Sequence, residues 1–131
     1  MDQNPLVNEL IEGGARFLEE FEKRYPVAVA FWLKDRDENG WNLHIASEKI
    51  SDVKIREAYG EVHRITAQLK DVYFDPFNVI LREMDDPIIQ FALDSQRRFP
   101  ARLATVFNVP TFEGVEVEGM YLYPPGHTAG V

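Results

Sequence analysis

The fold is decided by the stretch VAVAFWLKDRDENGWNLHIA, residues 27–46. Residues 27–33 form a nearly continuous run that favours a strand, and apolar and polar side chains alternate from Trp41 to Ala46. Between the two runs lies a polar segment, residues 35–40, which ends in Asn-Gly, a pair typical of tight hairpin turns. The stretch therefore predicts a β-hairpin.

A helix is predicted on each side of the hairpin. Before it, apolar side chains recur at helical spacing over residues 5–24, and Pro26 prevents continuation. Gly13 and Gly14 weaken this helix unless another element packs closely against it, and helical flanks argue against a phosphate-binding loop. After the hairpin, Ser51 is expected to cap a second helix. The face that this helix buries comprises Ile55, Ala58, Tyr59, Val62, Ile65, Thr66 and Leu69.

A third strand and a third helix are expected next along the chain. Residues 77–81, beginning with Phe77, alternate in a way that predicts the strand. Asp85 or Asp86 is then expected to cap a helix over residues 87–99, because proline suits the first helical position.

Two further strands, residues 103–107 and 115–123, complete the predicted order αββαβαββ. This order predicts an α+β fold, in which a mixed five-stranded sheet and three helices on one of its faces form two layers. The length suits one domain over residues 1–123, and residues 124–131 are expected to form a flexible C-terminal tail.

The composition favours a soluble protein of the cytoplasm. Hydrophobic residues make up 45% of the chain, enough for a core, and the absence of cysteine argues against a disulfide-stabilised secreted domain. We find no signal-peptide pattern and no apolar run near the roughly 20 residues that span a membrane. The formal net charge of −8 disfavours binding to nucleic acid and to anionic lipid.

Metal and cofactor sites find little support in the sequence. The segment Asp35-x-Asp37-x-Asn39-Gly40 matches the first half of a calcium-binding EF-hand loop, but its twelfth position is Ala46 instead of glutamate. A polar hairpin turn accounts for the same residues. Glycine-rich nucleotide motifs and the serine-hydrolase motif are also absent from the sequence. We therefore predict no metal and no cofactor.

Four carboxylates around the third strand are the catalytic candidates: Asp75, Glu83, Asp85 and Asp86. If they converge, with Asp71 nearby, they are able to hold Mg²⁺ or act as an acid and base pair. The structural alternative is that Asp75-Pro76 starts a turn and that Asp85 and Asp86 occupy an ordinary helix N-terminus. The spacing favours the structural alternative.

Arg97, Arg98 and Arg102 form a basic cluster, with Arg82 expected nearby, that suggests a clamp for carboxylate or phosphate. Arginines in a last helical turn also stabilise the helix dipole without any ligand. Among the histidines, His44 lies on the strand face opposite Trp41, Leu43 and Ile45, where it meets either solvent or a covering element.

The last strand suggests a protein contact. Val115, Val117, Tyr121 and Tyr123 point to one face, yet Met120 and Leu122 make the other face apolar as well. A second copy of the chain or another protein is one explanation, and a homodimer is the form we predict. The alternative is that a helix of the same chain covers one face and a loop covers the other, or that Gly119 forms a bulge that shifts the register.

The leading hypothesis is a non-enzymatic protein-interaction or accessory module, because no readable set of nucleophile, base and metal ligands is present. The alternative is a small metal-dependent hydrolase or nuclease-like enzyme built on the four carboxylates, with Arg97 or Arg98 stabilising negative charge. A third hypothesis, a small-molecule pocket, needs space beside Phe31, Trp32 and Trp41.

Overall fold

The computed structural model describes residues 8–35, 41–51, 54–70, 74–98, 105–107, 111–112 and 115–123. The three helices are α1 (Asn8–Glu22), α2 (Ile55–Leu69) and α3 (Pro87–Arg98). The strands are β1 (Val29–Asp35), β2 (Trp41–Ala46), β3 (Val79–Arg82), β4 (Thr105–Phe107), β5 (Thr111–Phe112) and β6 (Val115–Leu122). A short 3₁₀ helix, Pro76–Asn78, precedes β3.

The strands form one mixed sheet in the order β3-β2-β1-β6-β4, and β5 pairs with the start of β6. β1 is antiparallel to both β2 and β6, whereas β2 and β3 are parallel. A parallel pair requires a crossover connection, which α2 supplies. The α+β class, the three helices and the mixed sheet are therefore confirmed, as is the hairpin of β1 and β2.

The predicted strand number and order need correction. Four strands, β3, β2, β1 and β6, form the body of the sheet, and two short segments of three and two residues, β4 and β5, pair with β6. β5 was not predicted, so the five strands and the order αββαβαββ differ from what the chain forms. Two residues are too few to show the alternation by which a strand is recognised.

The two-layer arrangement is also wrong, because helices cover both faces of the sheet. The α1/α2 face is packed by α1 and α2, and its buried side chains on the strands are Ala30, Trp32, Leu43, Ile45, Val79, Leu81 and Tyr123. The α3 face is packed by α3, and its buried residues are Val29, Phe31, Leu33, Ala46, Ile88, Ile89, Ala92, Met120 and Leu122. β1 and β6 thus lie in a central layer, which explains why their sequences are apolar on both sides.

The glycine pair in α1 allows a close approach between helix and sheet. A Cβ atom built on Gly14 would clash with the Tyr123 hydroxyl and lie 3.2 Å from the Trp32 ring. The Trp32 Nε1–H donates to that hydroxyl at 2.9 Å, and the hydroxyl donates to the Ile11 carbonyl at 2.7 Å. Close packing, and not a phosphate-binding loop, therefore accounts for Gly14, so the condition under which this helix tolerates a glycine is met.

Two local predictions around α2 and β3 are wrong. The N-cap of α2 is Lys54, which makes no side-chain capping bond, so Ser51 lies before the helix. Phe77 lies in the 3₁₀ helix and not in β3, because Pro76 and the Asp75 side chain fix a turn there. Several predicted features lie outside the described residues: Asp37, Asn39 and Gly40 of the calcium-like loop, Asp71, Arg102, and the tail 124–131.

Candidate functional site

The four candidate carboxylates lie at two different ends of β3. Asp75 starts the 3₁₀ helix before the strand, where its Oδ1 accepts the Phe77 N–H at 2.8 Å. Glu83, Asp85 and Asp86 follow the strand and form the turn into α3. Because the four residues of β3 separate the two groups by about 13 Å, Asp75 does not join the others.

The described residues contain no group of three or more histidine, aspartate or glutamate side chains placed to hold a metal ion. Asp86 already has two roles: its Oδ1 accepts the Ile88 N–H at 3.0 Å as the cap of α3, and its Oδ2 accepts from Arg82 at 2.6 Å. The cap of α3 by Asp86 is therefore confirmed. These positions give the metal-dependent hydrolase no support.

A partly buried polar chain links the sheet to the start of α3. Arg82 Nε donates to His44 Nδ1 at 2.8 Å, and Arg82 Nη1 donates to Asp86. The His44 ring stacks on Phe31 with centroids 5.2 Å apart and is only 3% exposed. His44 thus lies on the α3 face, as alternation predicted, where it contacts Phe31 and Arg82.

The polar chain holds His44 in its neutral form. The pKa of His44 is lowered to about 3, chiefly by burial and also by the positive charge of Arg82, while Asp86 opposes the shift. Because Nδ1 accepts a bond from a guanidinium, the ring proton lies on Nε2. A histidine in this state is not a general base at neutral pH, so the chain joins β2, β3 and α3 mechanically.

The arginine clamp is not assembled around Arg82. Arg97 and Arg98 lie in the last turn of α3 and are exposed, and Arg98 Nε pairs with Asp94 at 3.0 Å. The twelve residues of α3 place them about 18 Å from the start of the helix, where Arg82 binds Asp86. Their position at the helix C-terminus fits the dipole explanation.

Met120 and Leu122 are buried within this chain. They are 0% and 4% exposed and pack with Ile88, Ile89 and Ala92 on the α3 face. Their apolar character is therefore explained by α3. The alternative considered for the last strand placed a helix on one face and a loop on the other, whereas helices cover both faces. The homodimer stays a prediction that these two residues no longer support.

The hypothesis of a small-molecule pocket at the aromatic residues is not supported. Phe31 and Trp32 are fully buried, on opposite faces of the sheet, and Trp41 packs at the border of the α1/α2 core. Neighbouring side chains fill the space around these residues. Phe74, for example, contacts Trp32 edge to face, with ring centroids 5.9 Å apart. The aromatic residues serve as core.

An exposed aromatic surface was missed by sequence analysis. Phe77 is 81% exposed and is the one large hydrophobic side chain in the described part of the chain with such exposure. The neighbouring His63 on α2 contacts it edge to face, with ring centroids 5.6 Å apart. We call these two residues the Phe77 surface. The misleading signal was the alternation with Val79 and Leu81, which placed Phe77 in a half-buried strand.

A second feature that sequence analysis missed is a cavity of about 500 Å³ at the start of α2. Three segments distant in sequence form it: the residues after α1, the residues after β2, and the first turn of α2. Its lining comprises Arg24, Tyr25, Glu48, Lys49, Ser51, Lys54 and Glu57. We call it the cation-lined cavity. No spacing rule links these residues, so only the fold brings them together.

Comparison with known proteins places the chain in no family: no family model, no curated protein and no solved structure matches it. No helix in the described ranges combines the length and the apolar character needed to cross a membrane. Inferences about function therefore depend on the geometry of this chain alone.

Proposed function

We propose that this chain is a non-enzymatic domain that binds another protein, with Phe77 at the centre of the contact. The observation that carries the proposal is the 81% exposure of the Phe77 side chain. Aromatic side chains that insert into a partner's pocket contribute most of the binding energy of many interfaces. Burial of this large aromatic ring in a partner's pocket would remove apolar surface from water, which favours binding.

The turn that presents Phe77 is held in place by hydrogen bonds. The Phe77 N–H donates to the Asp75 side chain, and the Asn78 N–H donates to the Asp75 carbonyl at 2.9 Å. Pro76 also restricts the backbone of the turn. The Tyr59 hydroxyl accepts the Leu81 N–H at 2.9 Å and ties β3 to α2. Little conformational entropy is lost when such a turn binds, which favours affinity.

The charge of the chain indicates the chemistry of the partner. The chain has a net charge of −8, and the exposed Asp75 lies beside Phe77. Two copies of such a chain repel each other, whereas a basic protein is attracted. We therefore propose a partner that offers an apolar pocket with a basic rim, and not a second copy.

The test starts with a photo-reactive phenylalanine analogue at position 77 and, as a control, at the exposed Gln90 of α3. Each labelled chain is irradiated in an extract of the native cells. A protein that crosslinks to position 77 but not to position 90 is a candidate partner. The affinity of the purified partner is then measured calorimetrically. We expect Phe77→Ser to weaken binding about 30-fold, in line with about 2 kcal/mol for an aromatic hot spot, and Phe77→Tyr to retain it.

Two outcomes contradict the proposal. One is a captured protein that binds wild type and Phe77→Ser equally well. The other is a wild-type dimer in light scattering that Phe77→Ser converts to a folded monomer, since this outcome makes the partner a second copy. Circular dichroism of each variant establishes that the fold is retained.

A further inference from the structure

The cation-lined cavity has a local charge opposite to that of the chain. Arg24, Lys49 and Lys54 oppose Glu48 and Glu57 in its lining, so the cavity has an excess of positive charge in a chain of net charge −8. The chain as a whole repels anions because it is acidic, but this local positive charge attracts them.

The cations of the cavity are only loosely engaged by the protein itself. Arg24 Nη2 lies 3.8 Å from Glu57 Oε2, and both side chains are about 60% exposed, so this ion pair is weak. The backbone N–H groups of Lys49 and Lys54 are bound, but neither ammonium group forms an ion pair with another described side chain. All three cations are therefore available to a ligand at little cost.

We propose that the cation-lined cavity binds a small, multiply charged anion, such as a molecule that carries a pyrophosphate group or several carboxylates. The ammonium groups and the guanidinium form charge-assisted hydrogen bonds to anionic oxygens, and the Ser51 hydroxyl adds a neutral donor. The volume of about 500 Å³ is within the range of small-molecule sites. The nearly buried Tyr25 ring, 5% exposed, supplies a rigid floor.

The cavity is separate from the Phe77 surface. It lies at the first turn of α2, whereas His63 lies nine residues further, about 13 Å along the helix axis. The anion site thus does not depend on the proposed protein contact, and each is tested without the other.

Pyrophosphate and citrate are the probes, each titrated by calorimetry into the full chain at about 10 mM ionic strength, where charges are little screened. We expect at least one probe to bind with a dissociation constant of about 1 mM or tighter, and binding to weaken with added salt. The comparison of the two probes assigns the site to phosphate or carboxylate ligands. Amide chemical shifts are expected to change at residues 48–51 and 54–57.

The double variant Lys49→Ser with Lys54→Ser is expected to reduce the affinity at least tenfold. The matched control is Lys70→Asn, which removes a lysine at the far end of α2 and suits the left-handed backbone there, φ 52°. The control should change the affinity less than twofold. The proposal is overturned if neither probe binds, or if the double variant binds as tightly as wild type.

Discussion

The two faces of the sheet are held to their helices by different means. On the α1/α2 face, sixteen buried residues form the larger cluster, in which aromatic rings such as Phe17, Phe21 and Phe74 contact one another. On the α3 face, nine buried residues form a smaller apolar cluster, and the chain His44–Arg82–Asp86 supplements it. The second face therefore depends more on polar geometry.

This contrast shows how one sheet can hold helices that bury different amounts of apolar surface. On the α1/α2 face, the larger buried apolar area supplies most of the free energy that holds α1 and α2. The single helix α3 buries less, and its start is fixed by hydrogen bonds to Asp86 and through Arg82 to the sheet. Apolar packing is insensitive to pH, whereas the polar chain is sensitive to it. The stability of the two faces should therefore respond differently to acid.

Acid should produce the largest effect, and it should act on the α3 face. The folded pKa of His44, about 3, lies below its ordinary value of 6.5, so the unfolded state binds a proton first as the pH falls. The contribution of neutral His44 is complete above pH 6.5 and is lost between pH 6.5 and about 3. The shift corresponds to an unfolding free energy on the order of 5 kcal/mol.

Denaturant unfolding at a series of pH values measures this loss, and His44→Gln is the comparison variant because its amide oxygen still accepts from Arg82. We expect the variant to lose less stability than wild type over the same range. Hydrogen exchange should show that α3 amides lose protection before those of α1. Equal loss in both helices would remove the distinction between the faces.

The close approach on the α1/α2 face should be the next most sensitive feature. Gly14→Ala places a methyl group in a clash with the Tyr123 hydroxyl and against Trp32. We therefore expect the unfolding free energy, measured by heat or denaturant, to fall by about 3 kcal/mol. Gly60→Ala in α2 is the matched control, because a Cβ there meets nothing within 4 Å. The control should instead gain about 0.5 to 1 kcal/mol.

Removal of one hydroxyl should test how far the α1/α2 face depends on polar bonds. Tyr123→Phe removes the acceptor of Trp32 Nε1 and the donor to the Ile11 carbonyl, and it leaves the indole N–H without that partner. We expect a loss of about 1 to 2 kcal/mol. Tyr121→Phe, whose ring contacts that of Tyr123, should lower the unfolding free energy by less. A loss above that of Gly14→Ala would mean that this face is also held mainly by polar geometry.

The smallest effect should be a gain at the end of α1. Glu22 Oε1 is buried without a hydrogen-bond partner, and burial raises the pKa of this carboxyl. Because the folded pKa is raised, the charged form at neutral pH costs stability that is recovered as the pH falls through that pKa. Glu22→Gln should therefore stabilise the protein by about 1 kcal/mol at pH 7 and by less in acid, as measured by unfolding.

Much of the fold was predictable because periodic patterns are local. The face of α2 from Ile55 to Leu69, the hairpin, and the cap at Asp86 all follow from residues close in sequence. The sequences of β1 and β6 are apolar on both sides, which indicates that both faces of the sheet are covered. This pattern does not identify the element that covers the second face. α3 was that element.

The candidate sites were harder to predict because they are made by tertiary geometry. The cation-lined cavity joins Arg24, Lys49 and Lys54 from three segments, and no spacing relates them. Phe77 fits strand alternation with Val79, and only the hydrogen bond to Asp75 shows that a turn exposes it. The carboxylates and arginines form clusters in sequence, yet in space Asp75 and Asp86 cap helices, and Arg97 and Arg98 both pair with Asp94.

The central place of β6 has a consequence for synthesis on the ribosome. β1 pairs along one edge with β6, for example Phe31 with Leu122, so that edge stays open until the last strand has been translated. The residues between Asp35 and Val115 take several seconds to translate at about 5 to 20 residues per second. During that interval the apolar edge of β1 is a template for pairing with other nascent chains. Chaperone demand and inclusion-body formation should therefore be governed by the time that β6 takes to emerge.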